Sequence, residues 1–252
     1  MSFLAALQFL TSIPVLSRRE AGREQQGQAT AYFPVVGLII GLILIFLNWL
    51  LNLILPASVV NALLIAAIVI VTGALHLDGF ADTCDGIAGH KAVEERWKVM
   101  RDSRTGAFGV VGIVLLLLIK YVALNSVPDT FMLATLLFMP VVSRWAMVYV
   151  LFTFKYARES GLGTDFKKST RWPQFTSATI ITVATALALF PLFAVAGLLI
   201  IIGVWIIITG FSFYLSNKFQ GLTGDTYGAI NEVAETITLL MGAVIFQYIG
   251  II

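Results

Sequence analysis

FPVVGLIIGLILIFLNWLLNLIL, residues 33–55, carries no charge over 23 positions and is closed by Pro56. A hydrocarbon core about 30 Å thick is crossed by about 20 mostly apolar helical residues. This run therefore reads as a membrane span. Working outward, further spans are predicted at about 59–75, 108–127 and 130–154. The stretch 176–215 is too long for one span and divides near 190–194, where Pro191 permits a tight turn. A last span is expected at about 230–252. The predicted fold class is all-α, a polytopic transmembrane helix bundle of about seven spans forming one integral membrane domain over 1–252. Composition agrees: 59% of residues are hydrophobic and 12% charged, against about 25% charged in a soluble domain.

Fourteen of the sixteen basic residues fall in four segments on one predicted side: before the first span and after the second, fourth and sixth. The opposite turns, near Pro56, Pro128 and Pro191, hold none. Lys/Arg asymmetry in short loops marks the cytoplasmic side, so the N-terminus is expected inside and the C-terminus outside. The expected location is a membrane, crossed several times, with the chemistry on the cytoplasmic face. Net charge is only +2 and the basic residues form no runs, so nucleic acid is not an expected partner. A single cysteine, Cys84, excludes an intrachain disulfide, and two histidines leave no structural zinc set. Residues 3–16 are interrupted by Gln8, Thr11, Ser12 and Pro14 and are followed by arginines, which suits a short interfacial or re-entrant helix rather than a signal peptide.

Three polar blocks carry candidate chemistry. In Leu75-His76-Leu77-Asp78-Gly79-Phe80-Ala81-Asp82-Thr83-Cys84-Asp85-Gly86 the aspartates stand at i, i+4 and i+7, one face of a helix. Such carboxylates repel and raise one another's pKa, a cost that a hard divalent cation removes. Magnesium is usually held by one or two carboxylates plus substrate phosphates, so Asp78, Asp82 and Asp85 are the expected metal ligands. Cys84 is read as a packing residue, and His76 as a proton acceptor or a hydrogen-bonded structural residue. Arg101, Asp102, Ser103 and Arg104, ahead of a glycine-rich helix start, suit a phosphate, since arginine donates in pairs and a helix N-terminus offers unpaired N–H groups. The third block, residues 221–228, contains Asp225 and precedes Glu232 and Glu235. Lys120 and Arg144 fall inside spans; Arg144, near mid-span, is expected to face the interior and to pair with an acid or bind substrate.

Residues 73–86, with Phe9-Leu10-Thr11-Ser12-Ile13-Pro14, Tyr32-Phe33-Pro34-Val35-Val36-Gly37, Met100 to Gly106 and Gly221 to Asp225, resemble the ordered sequence blocks of the cobalamin synthase family, the adenosylcobinamide-GDP ribazoletransferases. Phe80 and Cys84 depart from the expected Leu and Ala. The resemblance implies a magnesium-dependent transferase of the bacterial inner membrane that joins adenosylcobinamide-GDP to α-ribazole or its 5′-phosphate with release of GMP. In the implied mechanism Asp78, Asp82 and Asp85 hold magnesium against the pyrophosphate. Arg101 and Arg104 bind its oxygens, and one of Asp85, Asp225 or Glu232 accepts the ribazole hydroxyl proton. Implied partners are the corrinoid nucleotide, α-ribazole and the lipid bilayer, with a homo-oligomer or other corrinoid-assembly enzymes as further candidates. Asp82-Thr83-Cys84-Asp85-Gly86 also fits the opening of the CDP-alcohol phosphotransferase motif, but Gly89-His90 stands where Ala-Arg would follow. A transporter would place its carboxylates near the bilayer midplane.

Overall fold

The computed structural model describes residues 2–14, 28–89, 92–157 and 162–249. Arg18, Arg19, Arg23, Lys91 and Arg158, counted in the charge asymmetry, lie outside the described residues, as do Val15, Leu16 and the end of the last predicted span at 250–252. The described residues form eleven α-helices and no named strand. They are α1 (Ser2–Leu10), α2 (Phe33–Leu51), α3 (Ala57–Val71), α4 (Leu75–Ile87), α5 (Val93–Val99), α6 (Ala107–Asn125), α7 (Asp129–Thr153), α8 (Leu162–Ser169), α9 (Trp172–Ala188), α10 (Phe190–Phe219) and α11 (Gly224–Ile249).

The helical bundle is as expected, with a smaller count of spans. Among the described residues five helices are long and apolar enough to cross a membrane, and six if the bent pair α3–α4 counts as one. Two of the seven predicted segments fall short: α3 has 15 residues and α9 has 17. At about 1.5 Å per residue, α3 reaches roughly 22 Å. It stops because Gly73 (φ 60°) and Ala74 (φ 58°) both turn left-handed, and the chain leaves at 89° as α4. Ser12, beyond α1, caps the α3 end: its hydroxyl donates to the carbonyls of Ile70 and Val71 at 2.9 and 3.1 Å. α4 thus runs across the bundle instead of continuing the span.

α7 is the hub. Its spanning window is 83% buried, against 28–33% for the outer spans, and it packs on α2, α9, α10 and α11. The outer faces present Leu42, Phe46, Val114 and Ile206, as lipid requires. Inside, charge is matched across three helices. Lys120 of α6 donates to Glu232 and Glu235 of α11, at 2.6 Å each, and Arg144 of α7 pairs with Glu235. Asn231 adds a bond to Glu235 at 3.2 Å. All four charged side chains are buried, so two cations cancel two anions.

Removing one member of this set leaves an uncompensated charge, a loss of about 3–5 kcal/mol. Lys120→Met is expected to remove most folded protein in detergent, measured by thermal unfolding. Lys120→Met with Glu232→Gln restores neutrality and should recover most of it. A double variant as unstable as the single one would contradict the charge-matching account.

Candidate active site

Two helices meet to make the site. Gly79 of α4 lies so close to α11 that a Cβ there would stand 2.7 Å from the Asp225 carbonyl oxygen, and one on Gly228 would stand 3.0 Å from that of His76. Only glycine at these positions admits the contact, which sets Asp78 and Asp82 of α4 beside Asp225. The start of α11 is fixed by a reciprocal cap: the Thr223 N–H donates to the Thr226 hydroxyl at 2.8 Å, and the Thr226 N–H to the Thr223 hydroxyl at 3.3 Å. Leu222 is stitched to the segment after α7 through Lys155 and Ala157, each bond 2.8 Å.

The far end of α4 is held differently. Arg96 of α5, nearly fully buried, donates to the carbonyls of Gly86, Ile87 and Gly89 at 2.7–2.9 Å, satisfying carbonyls that a helix end leaves open. Sequence reading counted Arg96 only as a basic loop residue, and nothing in its neighbourhood distinguishes it from Lys98 or Arg101. Cys84 packs where a Cβ on Gly112 would meet its sulfur at 2.7 Å, and burial pushes its thiol up to about 11. That is a packing role.

The aspartates do not act as one set. Asp85 is buried, and its two oxygens accept the N–H groups of Gly106 (2.7 Å) and Gly109 (2.9 Å) at the start of α6. It therefore ties α4 to a helix N-terminus, where a carboxylate is favoured, instead of facing outward with Asp78. The described residues contain no group of three acids, histidines or cysteines arranged to hold a metal ion. Asp78 is exposed, while Asp82 and Asp225 are half-buried. Burial first, then the charges of Asp78, Asp225 and Asp85, push the Asp82 carboxyl from 3.8 to about 7.

The other expected residues divide. Glu232, expected as a proton acceptor, and Arg144, expected to bind substrate or pair with an acid, both lie in the buried charge set, where Arg144 pairs with Glu235. Arg101, Asp102, Ser103 and Arg104 form an exposed loop. Arg104 there donates to both oxygens of Asp102, at 3.1 and 2.9 Å, which holds the Asp102 carboxyl down at about 2.

α4 consequently has a compartment on each flank. One is an open polar cleft of about 560 Å3, lined by Asp85, Asp102, Arg104, Thr105 and Gly106 among others. The other is an apolar cavity of about 210 Å3 walled by Phe9, Phe33 and Phe166, with His76, Asp78, Asp225 and Tyr227 in its lining. Tyr227 was missed because a lone aromatic beside Gly228 carries no spacing signal.

A family model described as cobalamin-5-phosphate synthase matches residues 2–243. Relatives named adenosylcobinamide-GDP ribazoletransferase include one from Geotalea daltonii, 40% identical over 94% of this chain and 95% of that protein. Another, from Roseiflexus sp., is 36% identical over 93% and 86%, and a third, from Syntrophobacter fumaroxidans, is 34% identical over 97% and 98%. No solved structure matches.

The position of Asp82 sets a pH dependence. Between about pH 4 and 7 the folded protein holds a proton on Asp82 that the unfolded chain has released, so metal-free stability falls as pH rises through that window. Asp82→Asn removes the fall. In chelator its melting temperature should exceed that of the unsubstituted protein at pH 8 and match it at pH 4. An equal difference at both pH values would contradict the raised Asp82 carboxyl.

Proposed function

Because the chain belongs to the cobalamin-5-phosphate synthase family, we infer that it transfers the cobinamide phosphate of adenosylcobinamide-GDP to α-ribazole or its 5′-phosphate, releasing GMP, in the final steps of cobalamin synthesis. The match over residues 2–243 carries the reading.

A magnesium ion suits the acids that remain once Asp85 is set aside. Asp78 and Asp82 stand one turn apart on α4; burial and then the charges of Asp78, Asp225 and Asp85 raise the Asp82 carboxyl, and a cation there would relieve the repulsive part of that cost. Two carboxylates plus phosphate oxygens and water make an ordinary magnesium shell, so no three-acid cage is required. When bound there, the ion would neutralise charge on the pyrophosphate. Arg104, which lines the polar cleft and is oriented by Asp102, and Arg101 of the same exposed loop would hold pyrophosphate oxygens. Asp85 contributes by fixing the α6 start and the loop before it. Of the three expected proton acceptors, Asp85 and Glu232 lie outside the lining of the apolar cavity. Asp225 lines the cavity and takes the proton of the ribazole hydroxyl as its oxygen attacks the cobinamide-side phosphorus and GMP departs.

We place this site on the cytoplasmic face of an inner membrane. The basic loops after α4 and α7 lie at its end of the bundle, where GDP-linked substrate is dissolved. α11 starts at the site and runs away from it, so a reporter fused after the last helix should be active only outside the cytoplasm. Cytoplasmic activity of that fusion would reverse the orientation.

Purified protein should release GMP from adenosylcobinamide-GDP only when α-ribazole and magnesium are both supplied. Asp82→Asn should lower turnover by several orders of magnitude at unchanged membrane content. Near-normal turnover at limiting magnesium would remove the metal assignment.

A further inference from the structure

The apolar cavity is a built chamber with unmet polar groups. Phe9, Phe33 and Phe166 form a cluster of rings with centroids 4.7–6.1 Å apart, and Met147 and Leu151 of α7 close one wall. His76 is 1% exposed, yet neither ring nitrogen has a hydrogen-bond partner in the protein. The Tyr227 hydroxyl, on a side chain 5% exposed, has none either. Buried polar atoms are nearly always satisfied, and both of these residues line the chamber. Asp78, exposed, and Asp225, half-buried, supply carboxylate acceptors to the lining.

We propose that this chamber is the acceptor subsite, where the bicyclic base of α-ribazole lies among the phenylalanines with its ring nitrogen bonded by His76 or Tyr227, and its ribose hydroxyls face Asp78 and Asp225. This rests on the transferase reading above. Chemistry separates the acceptor from the other substrate. Among the described residues no lysine or arginine lines the chamber, so the phosphates of the other substrate would find no basic side chain inside it. α-Ribazole is uncharged, its base is apolar apart from one unsubstituted nitrogen that accepts a hydrogen bond, and its ribose hydroxyls donate. A neutral imidazole and a phenol supply the donors for the first, and carboxylates the acceptors for the second. The guanosine diphosphate half is thereby left to the polar cleft across α4, with Arg104 and the α6 start. His76 and Tyr227 are positioning residues that read the base and take no part in bond making.

The test uses full-length protein in lipid nanodiscs, with His76→Gln and Tyr227→Phe as separate variants, so that one misfolded variant does not decide the matter. Each is expected to raise KM for α-ribazole about tenfold or more, with kcat within about threefold and KM for adenosylcobinamide-GDP unchanged. Equilibrium binding of α-ribazole, measured without the second substrate, should weaken by the same factor. A riboside of benzimidazole lacking the two methyl groups should bind several-fold more weakly to the unsubstituted protein. The subsite is overturned if the variants move KM for the corrinoid substrate instead, if neither KM moves, or if α-ribazole does not bind. Failure to release GMP by a protein that binds α-ribazole in a His76-dependent way would overturn the activity and leave the subsite standing.

Discussion

Two glutamates on α11 are buried among apolar helices, and that constraint orders the rest of the molecule. Glu232 and Glu235 can exist there only against Lys120 and Arg144, since an unmatched buried charge costs several kcal/mol. The matching fixes how α11 is rotated and how deep it sits relative to α6 and α7. Asp225 lies seven residues before Glu232, two turns up the same helix face, so the rotation that satisfies the glutamates also delivers Asp225 to α4. Buried ion pairs add little net stability and serve better to select one arrangement among many. That is their part here.

The second determinant is the right-angle departure of α4. Had the chain continued straight beyond α3, the aspartates of α4 would not lie against α11. The left-handed pair Gly73–Ala74 and the Ser12 cap lay α4 flat under α11, and Arg96 fixes the other end. Chemistry then acquires two sides, an apolar chamber and a polar cleft, separated by the width of one helix.

Much of this was legible in sequence. The apolar runs marked the helices because lipid leaves the backbone no alternative, and the spacing of Asp78 and Asp82 put them on one helix face whatever surrounded it. What stayed hidden is long-range. Lys120 and Glu232 are 112 residues apart, so Glu232 read as a candidate base at a helix start, although its partner holds it deep in the bundle. Asp85 shares the spacing of the other two aspartates, but its role is set by Gly106 and Gly109, more than 20 residues on. Spacing on one helix cannot reveal what another helix brings to it. The short α3 was misjudged for a local reason: an alanine at φ 58° gives no compositional warning of a turn.

The separation of those charges along the chain also has a meaning for biogenesis. Lys120 and Arg144 are synthesised and inserted 91–115 residues before the glutamates that neutralise them, so each must sit in the bilayer as an orphan cation, its head drawn toward the interface. α6 and α7 therefore cannot settle at their final depth on insertion. They settle when α11 arrives, and the same event brings Asp225 to the aspartates of α4. Maturation of the membrane domain and completion of its chemistry become one step, and a chain cut off before α11 carries both the marks of an unassembled membrane protein and an open, incomplete site.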